Sequence, residues 1–390
     1  MSINDRVKFF VACPPGLEFY LAEELKTLLP QAQTSNSSEK TEKLFSSDES
    51  GGFEFDGLLS DIYQVNLQSR VASRVVIRLG SFFAAAFSEL EKKTSRLEWE
   101  LYVQPGQSVD IRVTCHKSKL YHSDAVAERI LNAINLHFSS LGKSSPLINP
   151  SSTGQLILVR IVRDFCTISI DSSGDALYKR GYKQAIAKAP LRENLAAAMI
   201  LFSGWKASVP IIDPFCGSGT IPIEASLIAN HIPPGINRNF RFFDWTCFDG
   251  SLWNEIRSRS ISSIQKAEVV ISGYDRDAGA IESAQANAAR AGQKATTHFS
   301  QQAVSYLEPS SPTGMIITNP PYGIRIQDNK DLRNLYSRFG DILKNKFKGW
   351  TVVLLGSDDR LIGNLMLGPS KKSVPFQNGG IPVKMLLFEL

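Results

Sequence analysis

The sequence is short of cysteine, of long apolar runs and of charge imbalance, and each shortage excludes something. Its 390 residues include five cysteines: Cys13, Cys115, Cys166, Cys216 and Cys247. They are scattered, odd in number and nowhere spaced as C-x-x-C. Neither a disulfide framework nor a zinc site is expected, and no other metal. No apolar run approaches the ~18 residues needed to cross a bilayer. The opening MSINDRVKFFVACPPG lacks the charged start and apolar core of a signal peptide. A soluble, cytoplasmic protein with no membrane contact is therefore expected. The formal net charge is only +5. Residues 1–180 carry 20 basic against 21 acidic side chains, and residues 181–390 carry 23 against 17. That excess permits a nucleic-acid partner without demanding one. There is no internal repeat.

What is present is enough apolar material for a sizeable core, 43% of residues, on a length that suggests two or three domains. Strand VKFFVA is followed by a Pro-Pro-Gly turn. A helix comes next, with Leu17, Leu21, Leu25 and Leu28 on one face. Residues 31–52 are polar and Ser-rich and read as a flexible insertion. Beyond it come a helix and the strand RVVIRL, then the alternating strand SVDIRVTC. A helix at 123–135 should be capped by Ser123 or Asp124. Residues 144–154 read as a loop. LILVRIV and FCTISID form a hairpin across Arg163-Asp164. A basic connector carries Lys179, Arg180, Lys183, Lys188 and Arg192. It leads into the helix RENLAAAMILFSGW. The second half alternates apolar strands (VPIID, AEVVISGYD, ATTHF, GMIIT, WTVVLLGS) with helices, the rhythm of a doubly wound parallel sheet.

Three strand ends carry chemistry. In DPFCGSGT, 213–220, Gly217 and Gly219 let backbone approach a ligand where a side chain would clash. The helix that follows offers free N–H groups at the switch point of the sheet. The stretch is neither a P-loop nor G-x-G-x-x-G, and by itself an ordinary βα turn is the competing reading. In GYDRD, 273–277, Asp275 ends the next strand, where a carboxylate can accept from both ribose hydroxyls. Asp277 caps the following helix. In TNPPYG, 318–323, Pro320 and Pro321 fix φ and remove two backbone donors. The amide oxygen of Asn319 and the carbonyl of Pro320 can then accept two hydrogen bonds from one amino group. Tyr322 offers a face on which a planar base can stack. Cys216 reads as a small buried residue rather than a nucleophile, since no histidine is near it in sequence.

DPFCGSGT, GYDRD and TNPPYG in this order resemble class I S-adenosylmethionine-dependent methyltransferases that modify amino groups. Over most of its length the chain resembles the THUMP-domain RNA guanine-N2 methyltransferases of the bacterial 23S rRNA type, with a single methyltransferase domain. FFVACPPGLEFYLAEEL, HKSKLYHSDAVAERI and LYKRGYKQAIAKAPLRENLAAAMILFSGW carry that closer likeness. The resemblance implies an α/β fold. A Rossmann-like sheet, mostly parallel with an antiparallel C-terminal strand, would follow an α+β THUMP/ferredoxin-like RNA-binding region. Residues 1–66 would be ferredoxin-like, 67–172 the THUMP domain, 173–190 the basic linker and 191–390 the methyltransferase domain.

The resemblance also implies roles. Asp213, Pro214, Cys216, Gly217, Gly219 and Thr220 would hold the methionine end of S-adenosylmethionine. Asp275 would hold its ribose, with Arg276 near the adenine. Leu191 and Asn194 would approach from the opposite side. Gln302 stands where relatives have an acid against the adenine amino group, and its amide oxygen can still accept. Asn319, Pro320, Pro321 and Tyr322 would hold a flipped guanine. His116, Lys117, Lys119, His122, Lys179, Arg180 and Lys183 would contact RNA. The expected activity is direct transfer of methyl to the 2-amino group of a guanine in 23S rRNA. The alternatives are a tRNA guanine-N2 methyltransferase and a non-catalytic RNA-binding assembly factor.

Overall fold

A computed structural model describes residues 6–29, 51–148, 154–184, 191–321, 329–378 and 380–390. Two seven-stranded sheets carry the architecture. The first contains β1 (Val7–Ala12), β2 (Gly52–Gly57), β3 (Arg74–Phe83), β4 (Ser108–His116), β5 (Leu147–Ile148), β6 (Gln155–Val162) and β7 (Phe165–Asp171), in the order β2-β1-β3-β7-β6-β4-β5. Its helices are α1 (Glu18–Leu28), α2 (Leu59–Gln68), α3 (Phe87–Thr94) and α4 (Ser123–Ser140). β3 pairs with β1 on one side and β7 on the other, so the ferredoxin-like and THUMP regions share one sheet. The expected boundary at 66/67 falls inside α2.

Several local expectations hold. α1 buries Leu21 and Leu25, with Leu17 buried just before it. β6 and β7 pair as a hairpin, and Arg163 and Asp164 turn it with φ of 51° and 65°. That left-handed pair matches the right-handed twist of the strands it joins. Others differ. α4 begins at Ser123 with His122 at the N-cap position and no side-chain cap; the Val126 amide donates to the His122 carbonyl, and Val126 is buried. Leu147 and Ile148, expected in a loop, pair with β4. Most of the insertion expected at 31–52 lies outside the described residues, while Gly52 already belongs to β2.

The second sheet contains β8 (Ile211–Asp213), β9 (Ile271–Asp275), β10 (His298–Gln301), β11 (Met315–Thr318), β12 (Thr351–Gly356), β13 (Lys372–Asn378) and β14 (Ile381–Glu389), in the order β10-β9-β8-β11-β12-β14-β13. The first five are parallel, and β14 runs antiparallel to β12 and β13. Pro375 is tolerated because β13 is an edge strand. The helices are α5 (Glu193–Ser203), α6 (Thr220–Ala229), α7 (Gly250–Ser262), α8 (Ala278–Arg290), α9 (Asn329–Lys346) and α10 (Asp359–Gly363). Strand order reverses between β8 and β11. The crevice beyond their carboxyl ends is where such sheets take ligands.

A segment between α6 and α7 that carries no obvious motif joins the two halves. Phe242 stacks on Tyr63 of α2 with centroids 4.4 Å apart. The Tyr63 hydroxyl accepts from the Asp249 amide, and the Trp245 indole donates to Gln155 of β6. The Phe242 amide donates to the Ser172 carbonyl. Large buried rings with satisfied polar ends suit such a joint.

Two side chains of the basic connector, Arg180 and Lys183, are turned inward, which corrects two RNA-contact expectations, while Lys188 lies outside the described residues. Arg180 is 5% exposed, donates to the carbonyls of Leu177 and Arg70, and lies 3.7 Å from the buried carboxylate of Glu224. Lys183 donates to the Leu191 carbonyl and sits 3.8 Å from Glu193. A charge is tolerated in such a place only when it is paired, so these two side chains hold the connector rather than face a phosphate. Lys179 is exposed and pairs with Asp175.

Candidate active site

Asp213, Asp275 and Thr318 end three adjacent parallel strands, so their side chains meet at one edge of the sheet. Asp213 is 2% exposed. Its Oδ1 accepts from the Thr318 hydroxyl at 2.7 Å and from the Phe215 amide at 3.2 Å. Burial pushes its carboxyl up to about 7, and the neighbouring Asp275 adds to the rise, while the two donors oppose it.

The loop after β8 is shaped by its glycines. The Gly217 N–H donates to Asp275 Oδ2 at 3.0 Å, and a Cβ there would meet nothing within 4 Å, so the loop faces open space. Gly219 opens α6 with φ +82°. A Cβ there would stand 2.9 Å from both Ala284 Cβ and Phe299 Cζ. Asn287 of α8 donates to the Ser218 carbonyl. Burial raises the Cys216 thiol well above its ordinary value, which keeps it neutral and unreactive. Pro214 and Thr220 are buried in the same turn.

Asp275 Oδ1 also accepts from the Asp277 amide. Each carboxylate oxygen keeps a second lone pair for a ligand. Asp277 caps α8, its side chain accepting from the Ala280 amide, as expected. Gln302 sits beside Asp275. Its backbone N–H donates to the Asp275 carbonyl, and its side-chain nitrogen donates to the Tyr306 carbonyl. That bond turns the amide so that its oxygen remains the acceptor. Arg276 is exposed at the rim.

On the other side of the switch point, Asn319 and Pro320 follow β11. The Asn319 Oδ1 is buried and has no hydrogen-bond partner among the described residues. A buried acceptor left unpaired costs about 1–3 kcal/mol. Tyr336 of α9 donates to the Pro321 carbonyl at 3.3 Å and holds the elbow from behind. Tyr322 lies outside the described residues.

Two expected cofactor residues sit elsewhere than the strand ends. Asn194 is fully buried in α5, and its amide nitrogen donates to the Val71 carbonyl and the Ser73 hydroxyl of the N-terminal half. Its oxygen is a second buried acceptor without a partner among the described residues. Leu191 is buried just before α5. Sequence reasoning missed Thr318, Tyr336 and Asn287. A buried hydroxyl at a strand end and a polar side chain on an otherwise apolar helix face carry no spacing signal.

The methyltransferase-domain description of the RMKL-like family matches residues 180–386, more than half of the chain. The chain belongs to the RMKL-like methyltransferase family. This methyltransferase also matches the THUMP domain over residues 84–171 and the RlmL ferredoxin-like domain over 46–76. A Synechocystis protein, named provisionally as an RNA methyltransferase, is 30% identical over 98% of this chain and 96% of its own length. A ribosomal RNA large subunit methyltransferase K/L of Syntrophotalea carbinolica is 32% identical over 98% of this chain and 54% of its own. The chain thus spans about half the length of the K/L relatives. A solved structure described provisionally as a methyltransferase, in complex with S-adenosylhomocysteine (SAH), is 28% identical. It superposes with a TM-score of 0.87 over 99% of this chain and 98% of its own.

The cofactor of this methyltransferase is S-adenosylmethionine, and the residues present fit it. The open face at Gly217, the remaining lone pairs of Asp275 and the Asn319 acceptor, unpaired among the described residues, lie around one crevice. When bound, it supplies an electrophilic methyl group.

Proposed function

We propose that the protein transfers methyl to the exocyclic 2-amino group of a guanine in large-subunit rRNA. The observation that carries this reading is the buried Asn319 Oδ1 at the end of β11, without a partner among the described residues. An acceptor there, followed by a backbone carbonyl at Pro320 and flanked by prolines with no N–H, suits a ligand group with two donors and no acceptor. An amino group on a conjugated ring has that pattern. Its lone pair is delocalised into the ring, so it is a weak nucleophile. Drawing both N–H bonds toward Asn319 Oδ1 and the Pro320 carbonyl frees that pair for attack. The nitrogen becomes cationic on transfer and then loses a proton, so no strong base is needed. Catalysis is then positioning and preorganised electrostatics. Asp213 and the Gly217–Gly219 loop would hold the methionine end, Asp275 the ribose, and the Gln302 amide oxygen the adenine amino group.

The N-terminal sheet supplies a surface for RNA. Phe83 and Phe165 are cross-strand neighbours on β3 and β7, each about half exposed at 52% and 50%. The loop His116–His122 is tied to the same hairpin turn: the Lys119 amide donates to Asp164 Oδ1, and the Arg163 amide to the His116 carbonyl. His116, Lys117, Lys119, His122 and Arg163 are all exposed there. Exposed rings framed by cations suit unpaired bases and their phosphates. Ten residues of β3, at about 3.3 Å each, put this patch about 30 Å from Arg74 at the strand's other end. The RNA would be anchored far from the base that reacts.

Labelled methyl from S-adenosylmethionine, offered separately with large-subunit rRNA, bulk tRNA and duplex DNA, tests the acceptor. Incorporation into the rRNA alone is expected. Incorporation into tRNA alone would move the substrate, and none into any acceptor despite cofactor binding would favour an assembly factor.

A further inference from the structure

Thr318 makes, among the described residues, the side-chain hydrogen bond between the strand that carries the cofactor loop and the strand that carries the acceptor elbow. Its hydroxyl is fully buried at the end of β11 and meets Asp213 Oδ1, at the end of β8, at 2.7 Å. β8 and β11 pair directly at the switch point, through Met315–Ile211 and Ile316–Ile212. The ladder stops there, so beyond Ile316 the two ends are joined by side chains. Thr318 immediately precedes Asn319.

We propose that Thr318 is a positioning residue that keeps the Asp213 carboxylate charged and fixes the Asn319 elbow against the cofactor loop. This inference rests on the methyltransferase reading of the site. Its physical content is a buried acid that must stay ionised to receive the ammonium of the methionine end. Among the described residues, the ionisable groups facing Asp213 are Asp275 from β9 and the neutral Cys216 thiol from the loop, and neither offers a positive charge. Among the described residues, the Thr318 hydroxyl and the Phe215 amide are the groups that favour the charged form. Removing the hydroxyl raises the Asp213 carboxyl further above about 7. Cofactor affinity, full above that value and lost as pH falls through it, then begins to fail at higher pH.

The test measures S-adenosylmethionine affinity by calorimetry from pH 6 to 9 for the full chain, Thr318→Val and Thr318→Ser, with turnover at saturating cofactor. The expected result is an acid limb moved to higher pH in Thr318→Val, with turnover lowered about tenfold beyond the loss of affinity. Thr318→Ser should restore both. Should Thr318→Val fail to fold, Asp213→Asn, which keeps an acceptor for Thr318, gives the second reading: affinity weakened but flat with pH. An unshifted limb in Thr318→Val, or a limb that persists in Asp213→Asn, overturns the role of Thr318. Absence of cofactor binding in the unsubstituted chain would instead sink the methyltransferase reading itself.

Discussion

Asn319→Ala separates function from stability at a single residue. In the free protein the Asn319 Oδ1 is buried and accepts no hydrogen bond from any described residue. A buried acceptor left in that state costs about 1–3 kcal/mol. Removing it should leave the melting temperature unchanged or raise it slightly. In the transition state the same oxygen would accept from an amine that is becoming cationic. Loss of one preorganised partner of this kind costs about 2.7–4 kcal/mol, or about 10²–10³ in turnover. Cofactor affinity should be close to normal, because Asp213, Gly217 and Asp275 would make the contacts on the cofactor side. Three assays decide it: thermal melting, calorimetry with S-adenosylmethionine, and initial rates with excess rRNA. A lower melting temperature would show that Asn319 is a structural residue. Unchanged turnover would refute its role in holding the acceptor.

The remaining expectations concern other parts of the molecule. Arg180→Ala removes the guanidinium 3.7 Å from the buried Glu224 carboxylate and leaves it the Tyr182 hydroxyl; it should lower stability by up to about 3–5 kcal/mol, read by denaturant unfolding, and a silent substitution would return Arg180 to the RNA surface. Lys117→Ala with Lys119→Ala should leave stability alone, weaken RNA binding and flatten its dependence on salt; an unchanged salt slope in filter binding would remove that loop from the interface. Gly219→Ala combines a left-handed φ of +82° with a Cβ 2.9 Å from Ala284 and Phe299. It should lower the melting temperature and weaken cofactor binding together, and a well-folded variant with normal affinity would contradict the packing described.

Much of this was legible in the sequence because it depends on local chemistry. Paired glycines, an acid at a strand tip and two prolines after an asparagine announce themselves in a few residues, and all three sit at strand ends around one crevice. Asp277 was readable as a cap because capping is local. The fate of Arg180 and Lys183 was not, because burial is decided by what packs over a connector from both halves. The joint at Phe242 and Tyr63 was equally hidden: the residues that meet are 179 positions apart. Thr318 was silent for the same reason, since its partner Asp213 lies on another strand.

The central claim is that the acceptor is the 2-amino group of guanine. Large-subunit rRNA methylated by the purified protein with labelled S-adenosylmethionine, digested to nucleosides and separated by mass spectrometry, tests it most directly. The label should co-migrate with N2-methylguanosine and disappear in Asn319→Ala. Label in N6-methyladenosine, or in any ring-methylated base, would contradict it.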